Sequence, residues 1–131
     1  MDFLDRLIDY IEDNVELKTY LRIGKLSADS ESISIRPTPS GIAARYANEG
    51  VNREYGFQIL IKGTNQLKVI STLESITSSL DGLKSGDIRS SNNSFDLVSC
   101  KVYTTPNYVE ETDREEYIYT AMFMAELQGG I

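Results

Sequence analysis

The segment that most constrains the fold is Arg53-Glu54-Tyr55-Gly56-Phe57-Gln58-Ile59-Leu60-Ile61-Lys62. Successive side chains of a strand point to opposite faces, so Tyr55, Phe57, Ile59 and Ile61 form one apolar face. Glu54, Gly56, Gln58 and Lys62 on the other face are polar or small, with Leu60 the exception. Such a strand belongs to a sheet with one face against helices and the other in water. A second alternating segment, Ser32-Ile33-Ser34-Ile35-Arg36, precedes it and stops at Pro37-Thr38-Pro39. The connection between them, residues 41–52, shows no clear periodicity and is too long for a hairpin turn. Long loops in compact domains carry function or are disordered. This one holds Arg45 and Tyr46 but no reactive group, and it reads as a projecting arm for protein contact.

Two helical stripes accompany the strands. Phe3, Leu4, Leu7, Ile8, Ile11 and Val15 recur at three- and four-residue spacing, opposite Asp5, Arg6, Asp9, Glu12 and Asp13. This pattern predicts an amphipathic helix over 2–14, with the Asp2 carboxylate accepting an orphan amide hydrogen bond as N-cap. Leu67, Ile70, Leu73, Ile76 and Leu80 predict a second helix over 65–80, capped by Thr64 and ended by Gly82 in a left-handed conformation. Ser71, Thr72, Ser75, Ser78 and Ser79 lower its intrinsic propensity, so packing onto a sheet must supply most of its stability.

Residues 20–25 read as a short strand and 82–94 as a polar loop. Two further strands follow at 95–103 and 116–127, joined by residues 104–115. No repeat or linker divides the chain, so 1–131 is expected to form a single domain. The expected fold is α+β, a two-layer sandwich in the order α-β-β-β-α-β-β. Both helices pack on one face of a mostly antiparallel sheet of about five strands, with the long loop between the second and third.

The last strand is apolar on both sides. Tyr117, Tyr119, Ala121, Phe123, Ala125 and Leu127 fill one face, while Ile118, Met122 and Met124 occupy the other. Eleven residues at about 3.3 Å each make it roughly 35 Å long. Its second face is covered either by the chain's own loops or by a neighbouring subunit, because an apolar patch of that size marks an interface. Arg36, Arg45 and Arg53 bracket the long loop in an otherwise acidic chain. With Tyr46, Ile118, Met122 and Met124 they make up the expected subunit interface.

Composition narrows the chemistry. Twenty acidic residues against 13 basic ones leave a net charge of −7, which disfavours binding to a phosphate backbone. The chain has no histidine, which excludes an imidazole base or an imidazole-ligated metal. Cys100, the only cysteine, lies in an apolar strand pattern and is expected to be buried and inert. Glu110, Glu111, Asp113, Glu115 and Glu116 surround Arg114 without the spacing of a calcium loop, and read as a solvated acidic rim. Asp81, Asp87 and Asp96 form no converging carboxylate pair. Residues 82–86 follow a helix, where a phosphate loop would follow a strand. No catalytic, metal-binding or cofactor-binding residue is therefore expected. No run approaches the roughly 18 apolar residues of a membrane span, and the acidic start Met1-Asp2-Phe3-Leu4-Asp5 is unlike a secretory signal.

Several segments, taken in order, resemble the minor capsid protein family of tailed phages and prophages of Gram-positive bacteria. They are Tyr20-Leu21-Arg22-Ile23-Gly24, Ser32-Ile33-Ser34-Ile35-Arg36-Pro37-Thr38-Pro39 and Tyr55-Gly56-Phe57-Gln58-Ile59-Leu60-Ile61-Lys62. The helix around residues 73–83, Ser94-Phe95, Tyr103-Thr104-Thr105-Pro106 and Tyr117-Ile118-Tyr119-Thr120-Ala121 continue the match. The resemblance implies a tail terminator: a small α+β domain forming a ring, usually a hexamer, where the tail tube joins the head. It also implies a virion location after assembly in the host cytoplasm, with itself, the tail tube protein and neck proteins as partners. It transfers no catalytic residue. An acidic pore wall would repel DNA and let it slide through. A neck connector of related shape is the nearest alternative. The residues alone also allow an acidic monomeric binding module that acts on a host protein.

Overall fold

The computed structural model describes residues 2–17, 19–39, 52–92 and 94–128. The chain runs through α1 (Phe3–Asn14), β1 (Leu21–Ile23), β2 (Ser32–Thr38), β3 (Asn52–Gly63) and α2 (Gln66–Leu80). It ends in β4 (Leu83–Lys84), β5 (Asp96–Glu111) and β6 (Tyr117–Gln128). The strands form one six-stranded sheet in the order β1-β2-β3-β6-β5-β4. Only β1 and β2 are parallel; every other neighbouring pair is antiparallel.

Register explains why one face is apolar. Ile33 and Ile35 of β2 lie opposite Ile61 and Ile59 of β3, which lie opposite Tyr119 and Ala121 of β6. Phe57 stacks on Phe123 with centroids 5.1 Å apart. Both helices cover this face. Phe3 of α1 meets Tyr55, Phe57 and Phe95 edge-on at 5.1, 6.1 and 5.2 Å, and Leu7 and Ile11 are fully buried beside it. From α2, Val69, Leu73, Ile76 and Leu80 are buried in the same core. The α+β sandwich with two helices on one face is thus the observed architecture.

Four local expectations change. The sheet has six strands, not five, because Leu83 and Lys84 pair with Cys100 and Ser99 inside the expected loop 82–94. Gly82, at φ +86°, makes the turn out of α2 and donates its N–H to the Cys100 carbonyl at 2.8 Å, which starts this short strand. Residues 104–111 continue β5 as strand where a connection was expected. Four register irregularities along β5 absorb Pro106 and the local polar sequence, and the turn to β6 spans only 112–116.

The helix caps differ as well. Asn65, not Thr64, caps α2, accepting from the Lys68 amide at 3.1 Å, while the Thr64 amide donates to Glu31 Oε2 at 3.0 Å. Asp2 makes no side-chain cap on α1. Its carboxylate instead accepts from Ser90 Oγ (2.7 Å), Ser91 N and Oγ (2.9 and 2.7 Å) and Ser94 Oγ (2.9 Å). These bonds tie the start of α1 to the connection between β4 and β5. Desolvation, the largest single influence, pushes the Asp2 pKa up. The hydrogen bonds from the three serines outweigh it and hold the carboxyl well below the usual carboxylate range.

Candidate functional site

The helix-free face of the sheet divides into two zones. At the Gly63 end, the connection 24–31 and the turn 112–116 fold over it. Ser32, Ser34, Lys62, Glu116 and Ile118 are buried there, so this part of β3 is not in water as its alternation suggested. Lys62 Nζ donates to the Ser27 carbonyl at 2.7 Å and lies 4.0 Å from Glu116 Oε1, which accepts from Thr112 Oγ1 at 2.9 Å. The buried Glu116 Oε2 has no hydrogen-bond partner among the described residues and is 4.0 Å from the exposed Arg114 Nε. Arg114 reaches further, to the Ala28 carbonyl at 3.3 Å. Glu116 therefore leaves the expected solvated rim, while Glu110, Glu111, Asp113 and Glu115 are exposed.

A polar chain forms the boundary between the zones. Arg36 Nε donates to Gln58 Oε1 at 2.9 Å, Gln58 Nε2 to Thr120 Oγ1 at 2.9 Å, and Thr120 Oγ1 to the Ile59 carbonyl at 2.9 Å. Each buried polar atom in this chain finds a partner, which makes its geometry rigid.

Beyond it lies an open groove of about 770 Å³, walled by Pro37, Pro39, Tyr103, Met122 and Met124, with Arg36 and Glu54 supplying charge. Met and aromatic surfaces with arginine at the edge are the composition of interface centres, where flexible thioethers adapt to a partner and charge fixes its orientation. The groove offers shape and adhesion to a protein surface. Among the described residues no group of three or more His, Cys, Asp or Glu is placed to hold a metal.

Of the expected interface residues, the structure brings Arg36, Met122 and Met124 together around this groove. Ile118 is buried beneath the chain's own segments at the other end. Arg45 and Tyr46 lie outside the described residues, and only the backbone of Arg53, in β3, lies within them. Cys100 is buried opposite Ala125, and desolvation followed by the Asp81 carboxylate pushes its thiol up to about 12. It is packing, as expected. Sequence reasoning missed the chain through Gln58 and Thr120 and the Lys62–Glu116 pair. Their only local signal was that Leu60 breaks the polar face of β3.

The sequence matches no family model and no curated protein. In structure, the chain is similar to a chain of the virion of a native gene transfer agent particle, with a TM-score of 0.57. The likeness covers 94% of this chain and 84% of that one at 14% identity. At that identity the shared property is the fold.

Proposed function

We propose that this chain is a non-enzymatic structural protein of a phage-type virion, acting as a tail terminator: a closed ring, hexameric by the family resemblance, where tail tube meets head. The observation that carries this reading is the near full-length fold likeness to a chain of a virion particle. It points to the same class of assembly as the resemblance in the strand and helix segments. The groove at Arg36, Met122 and Met124 supports it, because its surface suits protein contact. In the ring the partners are further copies of the chain, the tail tube protein and neck proteins. The net charge of −7 is compatible with an acidic pore wall, which would repel DNA and allow its passage.

The test is size-exclusion chromatography with light scattering over a range of concentrations, with negative-stain electron microscopy of the largest species. Closed rings of one defined mass are expected. A protein that stays monomeric up to its solubility limit would overturn the ring.

A further inference from the structure

Among the described residues the sheet has two open edges, and five of the six exposed large apolar side chains lie on or beside them. At one end, β1 pairs with β2, and its outer side has no strand partner among the described residues. At the other, β4 covers β5 only at Ser99 and Cys100, with an isolated bridge at Asp96. The Val102 amide is taken by Asp81 Oδ1 at 3.0 Å, so residues 103–111 of β5 present an edge with no strand beside it among the described residues, nine residues long and roughly 30 Å at about 3.3 Å per residue. Among the described residues, six large apolar side chains are exposed. Tyr20 (86%) and Ile23 flank or occupy β1, and Tyr103 (72%), Tyr108 and Val109 lie on the free edge of β5. Leu67 on α2 is the sixth. Unpaired edges are templates for strand addition; on β5, Pro106 and the register irregularities before it blunt the near part and leave residues 107–111 as the stretch that can pair.

Charge distinguishes the edges. β1 and its exit carry the exposed cations Arg22 and Lys25. The far end of the β5 edge carries exposed Glu110 and Glu111, and Lys101 stands just before its near end. Strand direction is also compatible. β2 and β6 run one way and β3 and β5 the other, so β1, parallel to β2, runs opposite to β5. A second copy placed at the β5 edge with its helices on the same side would add its β1 in antiparallel pairing, the more stable mode.

We infer that β1 of one copy pairs with the acidic half of the β5 edge of the next, so that the sheet continues from subunit to subunit. The partner is a second copy of this chain, and the contact is heterologous. Repeated, it closes into a ring or extends as a filament, depending on the angle between copies. This inference rests on the ring reading and names the surface that would build it. Lys101 disfavours the near end of the edge, and Glu110 and Glu111 favour the far end. Charge thereby sets the register that a long edge alone leaves open.

The experiment places Ile23→Cys in the same chain as Asn107→Cys, Val109→Cys or Glu111→Cys in turn, and oxidises the assembled protein. At least one pair should give a ladder of disulfide-linked multimers, while Ile23→Cys with Leu67→Cys should not. Arg22→Glu should abolish assembly, as should Glu110→Lys with Glu111→Lys, and the combined variant should restore it. Wild-type rings with no ladder from any edge pair, or rings unaffected by either charge reversal, would overturn the edge contact and leave the ring reading standing. Edge-linked filaments without rings would support the contact and overturn the ring. A monomer at every concentration would remove both.

Discussion

Lys62 sits at 7% and Glu116 at 3% exposure, so their 4.0 Å pairing is a buried one. At that distance the attraction amounts to about 4 kcal/mol for an effective dielectric of about 20. Desolvating each ion costs several kcal/mol, so the pair as a whole adds little net stability. Removing one partner is different, because Glu116 then keeps only the exposed Arg114 and the Thr112 hydroxyl, and Lys62 only the Ser27 carbonyl. Lys62→Met should therefore cost about 3–5 kcal/mol, and Glu116→Gln a similar amount. The double variant should cost clearly less than the sum, with a coupling of at least about 2 kcal/mol. The Ser27 carbonyl freed by Lys62→Met is only half-buried, so water can replace the lost 2.7 Å bond and this loss adds little. Urea unfolding followed by circular dichroism measures each corner of the cycle, provided the m-value stays constant. Raising the salt concentration should change the coupling only slightly, because buried charges are weakly screened. A cost for Lys62→Met below about 1 kcal/mol, with additive singles, would refute the reasoning and show a solvated pair.

Three further outcomes follow from the core and the caps. Cys100→Ser should cost about 1–3 kcal/mol for burying a hydroxyl, and native Cys100 should react with a thiol reagent only on unfolding. Because its folded pKa is raised to about 12, its contribution to stability is complete below the ordinary thiol value. That contribution declines as pH rises from there towards 12, and Cys100→Ala should lack this alkaline loss. Asp2 is shifted the other way, so its contribution is present above the ordinary carboxylate pKa and lost as pH falls below it. Asp2→Asn should be less stable than wild type at neutrality, with the gap closing on acidification in parallel denaturation curves. Gly63→Ala would place a methyl 2.8 Å from Val69 Cγ2 and about 3.1 Å from the Glu31 carboxylate. It should cost about 1–3 kcal/mol by thermal melting, and Val69→Ala in the same chain should recover part of the loss.

Periodicity made the architecture legible. Leu7 and Ile11 repeat with the helix, and Phe57, Ile59 and Ile61 repeat with the strand, so two helices on one sheet face could be read directly. The misses lie where a local pattern competes with a distant partner. Leu83-Lys84 is too short to show any period, and it is a strand only because Cys100 and Ser99 lie beside it. Residues 104–111 lost their alternation to irregular register, so a strand of 16 residues read as a shorter strand and a loop. Asp2 has the chemistry of an N-cap, but three serines some 90 positions away outcompete the local amides for its oxygens.

The candidate site was legible as a face but not as a surface. Alternation places Ile118, Met122 and Met124 on one side of β6, and nothing in those residues says which of them is covered. The 24–31 connection and the 112–116 turn decide that, by folding over the Gly63 end and leaving the Met122 end open as a groove. The same limit explains why Ile23 and Val109 were not singled out. Ile23 in a strand pattern reads as core and Val109 fell in an expected connection, and only the finished strand order shows that, among the described residues, β1 and the far half of β5 have no strand outside them. Edge position is a property of topology, so any surface built from two edges must be found after the fold. On the proposed edge contact, charge would do what periodicity cannot, with Arg22 and Lys25 set against Glu110 and Glu111.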